Sequence, residues 1–486
     1  MASLGGYRAS SARGIFAPFT LIARMAIVAT ELSKLSLADA SELVRRKSVS
    51  PIELTAACLK RIEQLNPTFN AFITVTAETA MQEARTAEAE IQRDGWKGPL
   101  HGIPIALKDL FDTTGIRTTA GSAVFQDRIP HQDAEVVRRL KAAGAVLLGK
   151  LNLHEFAYGG SGIIGHFPAA RNPRDASFIT GGSSSGSAAA VGAELCYAAL
   201  GTDTAGSIRL PAALCGIVGL KPTYGRVSTR GVIPLSWSYD HVGPMTRTVQ
   251  DTALLLQVIA GHDPSDISSV NVPVPDYVAA LKKDTRGLRV GAPRQLFYDD
   301  VDPEIADSIQ TALQLISELT AGVREMTLPV DTDRSASSAE AWTFHEKLVA
   351  EHADLYQPET LRRIRTGEKL TAAAYIQKRR ELEQLRQEIA VTVAEVDLLV
   401  TPTTPVLAPS FAELEADPTA LRARELLLLR NTRPFNVFGL PTISLPCGVA
   451  RDGRCVGLQI SGKGWDEGSV LALAHAYESA HRTAGT

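Results

Sequence analysis

Hydrophobic positions along this chain follow two spacings in turn, one typical of amphipathic helices and one typical of buried strands. Short apolar runs predict strands near residues 70–75, 103–107, 145–148, 214–220, 398–400 and 442–445. Helical spacing predicts helices over residues 77–93, 133–143, 249–260 and about 467–481, and a mostly helical stretch over about 300–395. Strands and helices that alternate in this way indicate an α/β fold.

Polar residues mark the ends of several of these elements. Ser36 with Asp39, and the run Ser50-Pro51-Ile52-Glu53, have the spacing of capping boxes and predict two helix starts. Asp452-Gly453 predicts the turn of a β-hairpin. The charged stretch 378–388 is typical of a solvent-exposed helix face.

The first 24 residues differ from the rest of the chain. They carry Arg8, Arg13 and Arg24 and no acidic residue, around the apolar stretch 15–23. Pro18 and Arg24 interrupt the pattern that a signal peptide requires, and no run of 18 apolar residues suggests a membrane span. We expect residues 1–24 to be a poorly structured extension, either a targeting segment or the product of an upstream start, and residues 25–486 to form the folded part.

Composition narrows the classes of partner. The formal net charge of −3 and the lack of basic clusters with interleaved aromatic residues argue against nucleic acid, so we expect a small-molecule partner. Five widely spaced cysteines without a CxxC pair suit a reducing compartment, and we expect a cytoplasmic protein without disulfides. The ten histidines include no zinc-binding spacing, so we expect no metal. The sequence is also compatible with a homodimer.

Three motif-like patterns carry little weight. The stretch 144–150 resembles a phosphate-binding loop, but Leu151 stands where Ser or Thr must ligate magnesium. The stretch 160–165 matches the dinucleotide fingerprint by letter, without the required preceding strand. The stretch 182–186 spells G-x-S-x-G, but the polar segment before it does not suit a nucleophile elbow.

A serine nucleophile and a lysine base are the chemistry that the residues themselves suggest. Ser207 lies in the glycine-containing stretch 201–211, where nearby backbone N–H groups can serve as oxyanion donors. Ser207 needs a base, and Lys108 follows the apolar run 103–107, where desolvation favours a neutral amine. A third candidate, Ser183, lies in the Gly/Ser-rich stretch 181–187, 75 residues after Lys108 and 24 before Ser207.

At these positions the chain resembles the amidase signature family. The matching stretches extend from about residue 30 to the end and include 102–109, 119–122, 149–157, 172–173, 181–187, 201–211, 219–223, 243–245, 401–403 and 434–448. The resemblance implies a single large domain with a mixed central sheet covered by helices on both faces. It also implies a catalytic core over about 70–260 and a variable helical region over about 300–395 that contributes to substrate binding.

The resemblance also implies roles for individual residues. Ser207 would be the nucleophile, Ser183 a bridging serine in a cis peptide that shuttles protons, and Lys108 the base. The backbone N–H groups of the loop would form the oxyanion hole, and neighbouring residues would support it. The oxyanion donors would be Thr204, Ala205, Gly206 and Ser207, and the supporting residues Asp203, Arg209 and Ser184.

Physical chemistry adds two expectations to these roles. A lysine that acts as a base at neutral pH needs its pKa lowered by ~3 units, which burial can provide. Because a carboxylate beside the amine would raise that pKa, we expect Asp109 to point away from Lys108.

Many family members have glycine at the position of Ala205, whose methyl group we expect to narrow the pocket.

Function and substrate are less sharply defined. We expect an amidase that hydrolyses the C–N bond of a small molecule through a Ser207 acyl-enzyme, without a cofactor. The alternatives are the glutaminase subunit of a tRNA-dependent amidotransferase and a carbamate or ester hydrolase of the same family. Two features disfavour the amidotransferase alternative. Leu210 lies where such subunits usually carry glutamine, and residues 427–430 lie in a stretch where they often have an acidic residue. A non-catalytic scaffold is disfavoured because all three catalytic positions are filled.

Four aromatic residues are candidates for the walls of the substrate pocket, although for any one of them we expect a buried core position more than a pocket position. They are Tyr158, Trp237, Tyr375 and Phe435.

Overall fold

The computed structural model describes residues 32–484, so the expected N-terminal extension, residues 1–24, lies outside the described residues. One sheet of 11 strands organises the described part of the chain. The strands are β1 Phe72–Val75, β2 Pro104–Lys108, β3 Val146–Leu151, β4 Ala198–Asp203, β5 Val218–Lys221, β6 His241–Thr246, β7 Val290–Pro293, β8 Val323–Met326, β9 Leu398–Pro402, β10 Thr442–Val449 and β11 Cys455–Gly462.

The helices connect and cover these strands. They are Leu37–Arg45, Pro51–Phe69, Ala77–Gln92, Glu135–Ala142, Ser185–Gly192, Arg209–Cys215, Val249–Ile259, Tyr277–Ala280, Pro303–Leu319, Ser335–His352, Pro358–Ile364, Ala372–Thr392, Phe411–Ala416, Leu421–Leu428, Arg433–Val437 and Glu467–Ala484. None of the described helices combines the length and apolar character that crossing a membrane requires.

The sheet is mixed, as expected. Its strand order is β1-β3-β2-β4-β6-β5-β10-β11-β9-β7-β8. Strand β2 runs parallel to both β3 and β4, and β7 runs parallel to both β8 and β9. The remaining neighbours pair antiparallel. The two parallel groups are therefore joined through a central antiparallel region.

Both faces of the central sheet are covered. Every residue of β2, β4, β6 and β11 is buried. Because successive side chains of a strand point to opposite faces, a strand buried at every position has helices or loops on both sides. The expected arrangement of a mixed sheet between helical layers is confirmed.

Local signals are confirmed at most element ends. Ser50 and Glu53 form a reciprocal capping box. Ser36 accepts a hydrogen bond from the backbone N–H of Asp39, but the Asp39 carboxylate accepts from the Ser36 hydroxyl instead of its backbone N–H, so only half of the expected capping box forms. The turn at Gly453, where φ is +89°, connects the antiparallel strands β10 and β11. The stretch 300–395 is mostly helical, but it also contains β8.

One expected strand is wrong in its first half. Residues 214–220 read as one apolar run, but Leu214 and Cys215 end the helix Arg209–Cys215, and the strand begins only at Val218. Gly216 terminates the helix in the left-handed region, with φ +69°. A buried helix end and a buried strand carry the same apolar residues, so hydrophobicity alone does not separate them.

The parallel pairing of β2 and β4 positions the site. Leu107 is in register with Leu200, so Lys108 at the end of β2 lies beside the end of β4. The carboxyl ends of parallel strands meet at the same edge of a sheet, where loops can present reactive groups. The loop that follows β4 carries Ser207, and the loop that contains Ser183 leads into the helix Ser185–Gly192.

Candidate active site

Lys108 is the buried centre of the site. Its Nζ donates hydrogen bonds to Ser183 Oγ and to Thr202 Oγ1, each at 2.7 Å, and its side chain is fully buried. Thr202 lies on β4 and is not among the residues that the sequence singled out. The structure therefore joins Lys108 to Ser183, as expected, and adds a second hydroxyl that holds the amine in place.

Burial shifts the pKa of Lys108 in the direction that a lysine base requires. Desolvation lowers the pKa of Lys108 to about 7, although the negative charges of Asp240 and Asp203 oppose the shift. Asp109 points away, because its Oδ2 accepts from the backbone N–H and the hydroxyl of Thr119 and its Oδ1 lies 3.6 Å from Lys150 Nζ. The expectation for Asp109 is confirmed.

Glycine at position 182 allows the two serine loops to approach each other. A Cβ there would lie 2.5 Å from Pro211 Cδ and 3.2 Å from Ser207 Cα, and the φ of Gly182 is +62°. The backbone N–H of Ser184 donates to the carbonyl of Ser207 at 3.3 Å. Ser183 is therefore held next to the segment that carries Ser207.

Ser184 supports this arrangement from within the sheet. Its Oγ donates to the carbonyl of Thr202 at 3.1 Å and accepts from the N–H of the same residue at 3.2 Å. The supporting position expected for Ser184 thus has a structural basis, since it connects the Gly/Ser-rich loop to β4.

Ser207 lines a cavity and its hydroxyl makes no hydrogen bond to the described part of the chain. Thr204 and Ala205 line the same cavity. Within the described residues, the backbone N–H groups of Thr204, Ala205 and Ser207 donate to no protein acceptor. These three donors remain available for an oxyanion.

Gly206 does not fit the expected set of oxyanion donors. Its backbone N–H donates to Asp203 Oδ1 at 2.7 Å, so it is already satisfied by a buried carboxylate. A Cβ at Gly206 would also lie 2.1 Å from Thr432 Oγ1, and the residue has φ +136°. Gly206 therefore shapes the loop through its conformation and its bond to Asp203.

Asp203 and Arg209 form the brace of this loop. They make a fully buried salt bridge of 2.9 Å, with a second contact of 3.0 Å from Arg209 Nε. Although burial opposes it, the Arg209 guanidinium holds the pKa of Asp203 well below its usual range. Arg209 also donates to the carbonyl of Thr432 and to Gln459 Oε1, each at 2.8 Å. The expected pairing is confirmed.

The substitution Arg209→Met should show how much this brace contributes to stability. We expect it to lower the free energy of unfolding by about 3–5 kcal/mol, because Asp203 would remain buried without its partner. Urea denaturation measures the loss. As a control, Arg324→Gln breaks an exposed pair with Glu395 and should cost about 1 kcal/mol or less. Equal losses in the two variants would contradict the role of the brace.

The cavity beside Ser207 is partly open to solvent. Tyr158 lines it, as expected. It reaches the cavity after two non-glycine residues in the left-handed region, Phe156 with φ +48° and Ala157 with φ +58°. Such backbone strain is tolerated mainly where function fixes the geometry.

The other three aromatic candidates lie outside this cavity. Phe435 is fully buried and packs against Phe297, with ring centroids 5.6 Å apart, so it belongs to the core. Trp237 is 42% exposed at the surface. Tyr375 donates from its hydroxyl to Glu340 Oε1 at 2.8 Å. The expected pocket positions of these three residues are wrong, because sequence does not tell which aromatic residues face inwards.

Polar residues that the sequence did not single out also surround the cavity. Arg334, Arg422 and Arg433 line it. Asp240 accepts from the hydroxyl of Thr204 at 2.5 Å, and burial raises the pKa of Asp240 to about 6. No local motif links these residues, since they come from separate segments that only the fold brings together. Among the described residues, no cluster of His, Cys, Asp or Glu could hold a metal ion.

The comparisons with known proteins agree with this geometry. A family model described as Amidase matches residues 53–471. The A subunit of glutamyl-tRNA(Gln) amidotransferase from Moorella thermoacetica is 41% identical over 476 residues, which cover 92% of this chain and 97% of the relative. The solved structure of the same kind of subunit from Thermotoga maritima is 33% identical, with a TM-score of 0.76, over 92% of this chain and 95% of that one.

A small-molecule hydrolase is also similar. The structure of 6-aminohexanoate cyclic dimer hydrolase is 30% identical, with a TM-score of 0.84, over 92% of this chain and 97% of that chain. The names of the sequence relatives support the amidotransferase alternative better than the free-standing amidase, which the comparisons do not confirm. These relatives have the same fold and belong to one family of enzymes that cleave amide bonds. On the family model over residues 53–471 and on relatives 30–41% identical over nearly their full length, this chain belongs to the Amidase family of hydrolases that act on carbon–nitrogen bonds.

Proposed function

We propose that this protein hydrolyses an amide C–N bond through an acyl-enzyme on Ser207, with Ser183 as proton shuttle and Lys108 as base. The observation that carries the proposal is the 2.7 Å hydrogen bond from the buried Lys108 Nζ to Ser183 Oγ, next to a loop whose Ser207 lines the cavity. A serine hydroxyl is a poor nucleophile without a positioned base, and a desolvated lysine provides one.

In the acylation step, Ser207 Oγ forms a bond to the amide carbonyl carbon. Its proton passes to Ser183 Oγ, while the proton of Ser183 passes to the neutral amine of Lys108. The N–H groups of Thr204, Ala205 and Ser207 stabilise the resulting oxyanion. When the C–N bond breaks, the leaving nitrogen takes a proton back from Lys108 through Ser183, and the acyl group stays on Ser207.

Deacylation repeats the route with water as the nucleophile. Water attacks the acyl carbon, its proton moves through Ser183 to Lys108, and the Ser207 oxygen leaves and regains a proton. The products are a carboxylic acid and ammonia or an amine.

Because all five cysteines are buried and unpaired, we also propose a cytoplasmic location, where thiols stay reduced.

Two substrate assignments follow from different observations. The relatives named as amidotransferase subunits support a glutaminase that works within a larger complex. The cavity supports a free-standing amidase. Leu429 lines it, and this residue lies in the stretch 427–430, where amidotransferase subunits often carry an acidic residue. Leu210 is fully buried in an apolar cluster. A glutaminase needs a partner for the ammonium group of glutamine, and the residues that line the described cavity include no carboxylate.

Labelling of the purified chain with a fluorophosphonate tests the proposed nucleophile. We expect a single stable adduct on the peptide that contains Ser207, found by mass spectrometry. Ammonia release is then measured from glutamine and from a panel of other amides, with the chain alone. Absence of the adduct from folded protein would overturn the proposal, whereas turnover of glutamine only with added partner subunits would favour the amidotransferase.

A further inference from the structure

Three arginine side chains converge on the cavity beside Ser207. Arg334 comes directly before the helix Ser335–His352, Arg422 lies in the helix Leu421–Leu428, and Arg433 begins a third helix. All three line the same cavity as Ser207. Since none of the described residues lining it is acidic, the positive charge next to the nucleophile is not balanced within the cavity wall.

The arginines have few protein partners of opposite charge. Arg433 is 7% exposed and donates to the backbone carbonyls of Asp331 and Asp333, whose carboxylates attract it although neither forms a salt bridge with it among the described residues. Arg422 lies 3.4 Å from Glu425. That carboxylate is already paired with Arg363 at 2.7 Å, so one acid serves two guanidinium groups.

Arg334 is the least satisfied of the three. Within the described residues its guanidinium makes no hydrogen bond and no salt bridge, although its backbone carbonyl accepts from Ser338 N–H and Ser337 Oγ. Burial lowers the pKa of Arg334 to about 9, and the nearby charges of Arg433 and Arg422 push it in the same direction. A half-buried cation without a partner is unfavourable unless a ligand supplies the opposite charge.

We infer that the substrate carries an anionic group that Arg334, Arg422 and Arg433 bind while its amide carbonyl lies at Ser207. The inference rests on the proposed function and specifies its substrate class as an amide that bears a carboxylate and no neighbouring ammonium group. Guanidinium groups bind carboxylates through paired, charge-assisted hydrogen bonds.

Three amides of similar length test the charge requirement. Pentanamide is uncharged, glutaramate carries a carboxylate at the far end, and glutamine carries the same carboxylate with an added ammonium group. We expect kcat/KM for glutaramate to exceed that for pentanamide by roughly 10- to 100-fold, the effect of one or two hydrogen bonds to a charged group. We expect glutamine to fall below glutaramate by about tenfold or more, because no lining carboxylate pairs with its ammonium group.

The variant Arg334→Gln tests the assigned residue. It should remove most of the preference for glutaramate over pentanamide by raising KM for glutaramate. The matched control is Arg324→Gln, an exposed arginine on β8, which should keep the full preference. If Arg334→Gln does not fold, inhibition of the unaltered protein replaces it: glutarate should inhibit hydrolysis of a neutral ester competitively, and neutral glutaramide at least about tenfold more weakly.

The outcomes separate this inference from the proposed function. Equal turnover of pentanamide and glutaramate, or a preference for glutamine over glutaramate, would overturn the anionic substrate class while Ser207 labelling still supported the hydrolase. An unchanged preference in Arg334→Gln, or inhibition by glutarate no stronger than by glutaramide, would also overturn it. Failure of fluorophosphonate to label Ser207 would overturn the proposed hydrolase itself.

Discussion

The substitution Ser207→Ala is expected to lower kcat by a factor on the order of 10⁵ to 10⁶, the cost of removing the nucleophile from a coupled catalytic group. The hydroxyl lines the cavity and makes no hydrogen bond to the described residues, so its loss disturbs no internal contact. The variant should also lose the fluorophosphonate adduct. Initial rates with an amide or an activated ester, together with mass spectrometry of the labelled protein, measure both effects.

Ser185→Ala is the matched control for this loss. Ser185 begins the helix that follows the Gly/Ser-rich loop, and its buried Oγ has no hydrogen-bond partner among the described residues. Removing that hydroxyl should change neither the rate nor the labelling. If Ser207→Ala kept a tenth or more of the activity, or if the label remained, another residue would be the nucleophile and the proposed mechanism would fail.

The second large effect concerns Lys108 and pH. In the proposed mechanism the neutral amine of Lys108 is the active form, and burial lowers the pKa of this lysine to about 7. Below pH 7 the amine is protonated and cannot accept the proton of Ser183, so kcat/KM should fall towards acid and reach a plateau above about pH 8. In Lys108→Arg the guanidinium stays protonated at every pH, and kcat/KM should fall by about 10³-fold with no recovery up to pH 9.

The pH dependence of kcat/KM can be assigned to Lys108 only if neighbouring groups do not titrate in the same range. Asp203 keeps its charge throughout, because Arg209 holds its pKa well below the usual range. His154 is buried with both ring nitrogens unpartnered among the described residues, and desolvation keeps its pKa well below the usual range, so it stays neutral. Asp240, whose pKa burial raises to about 6, is the group that overlaps with Lys108.

Asp240→Asn therefore accompanies the pH experiment. If Lys108 causes the acidic limb, the limb persists in Asp240→Asn with at most a small displacement, since that carboxylate opposes the lowered pKa of the lysine. Rescue of Lys108→Ala by an added small amine at high pH would support the same assignment. Loss of the acidic limb in Asp240→Asn, or full activity in Lys108→Arg, would assign the titration to a different group.

The fold could be predicted where local patterns are unambiguous. Amphipathic spacing, the reciprocal cap at Ser50 and the glycine turn at Gly453 each act within a few residues, and each appears in the structure. The pattern does not predict the boundary near residue 216, because the helix and the strand on either side of it are both apolar and both buried. Pairing across the sheet, including the antiparallel centre, depends on contacts between distant segments.

The candidate site divides in the same way. Lys108, Ser183 and Ser207 lie in stretches with distinctive composition, and the structure brings their segments together. The structure differs from expectation at Gly206, whose N–H is bonded to Asp203, and at Phe435, whose ring packs in the core. Which N–H groups are free and which rings face the cavity depend on loop conformation and packing, and sequence reports neither.

By itself, the sequence determined the α/β class and the family resemblance, and it singled out Lys108, Ser183 and Ser207 as candidates for the proposed serine and lysine chemistry. These depend on residue type and spacing along the chain, which the sequence states directly. Only the tertiary structure decided that Thr202 holds Lys108, and that three arginines from separate helical segments line the cavity at Ser207. These features arise where distant segments meet, and the lowered pKa of Lys108 follows from the water that their packing excludes.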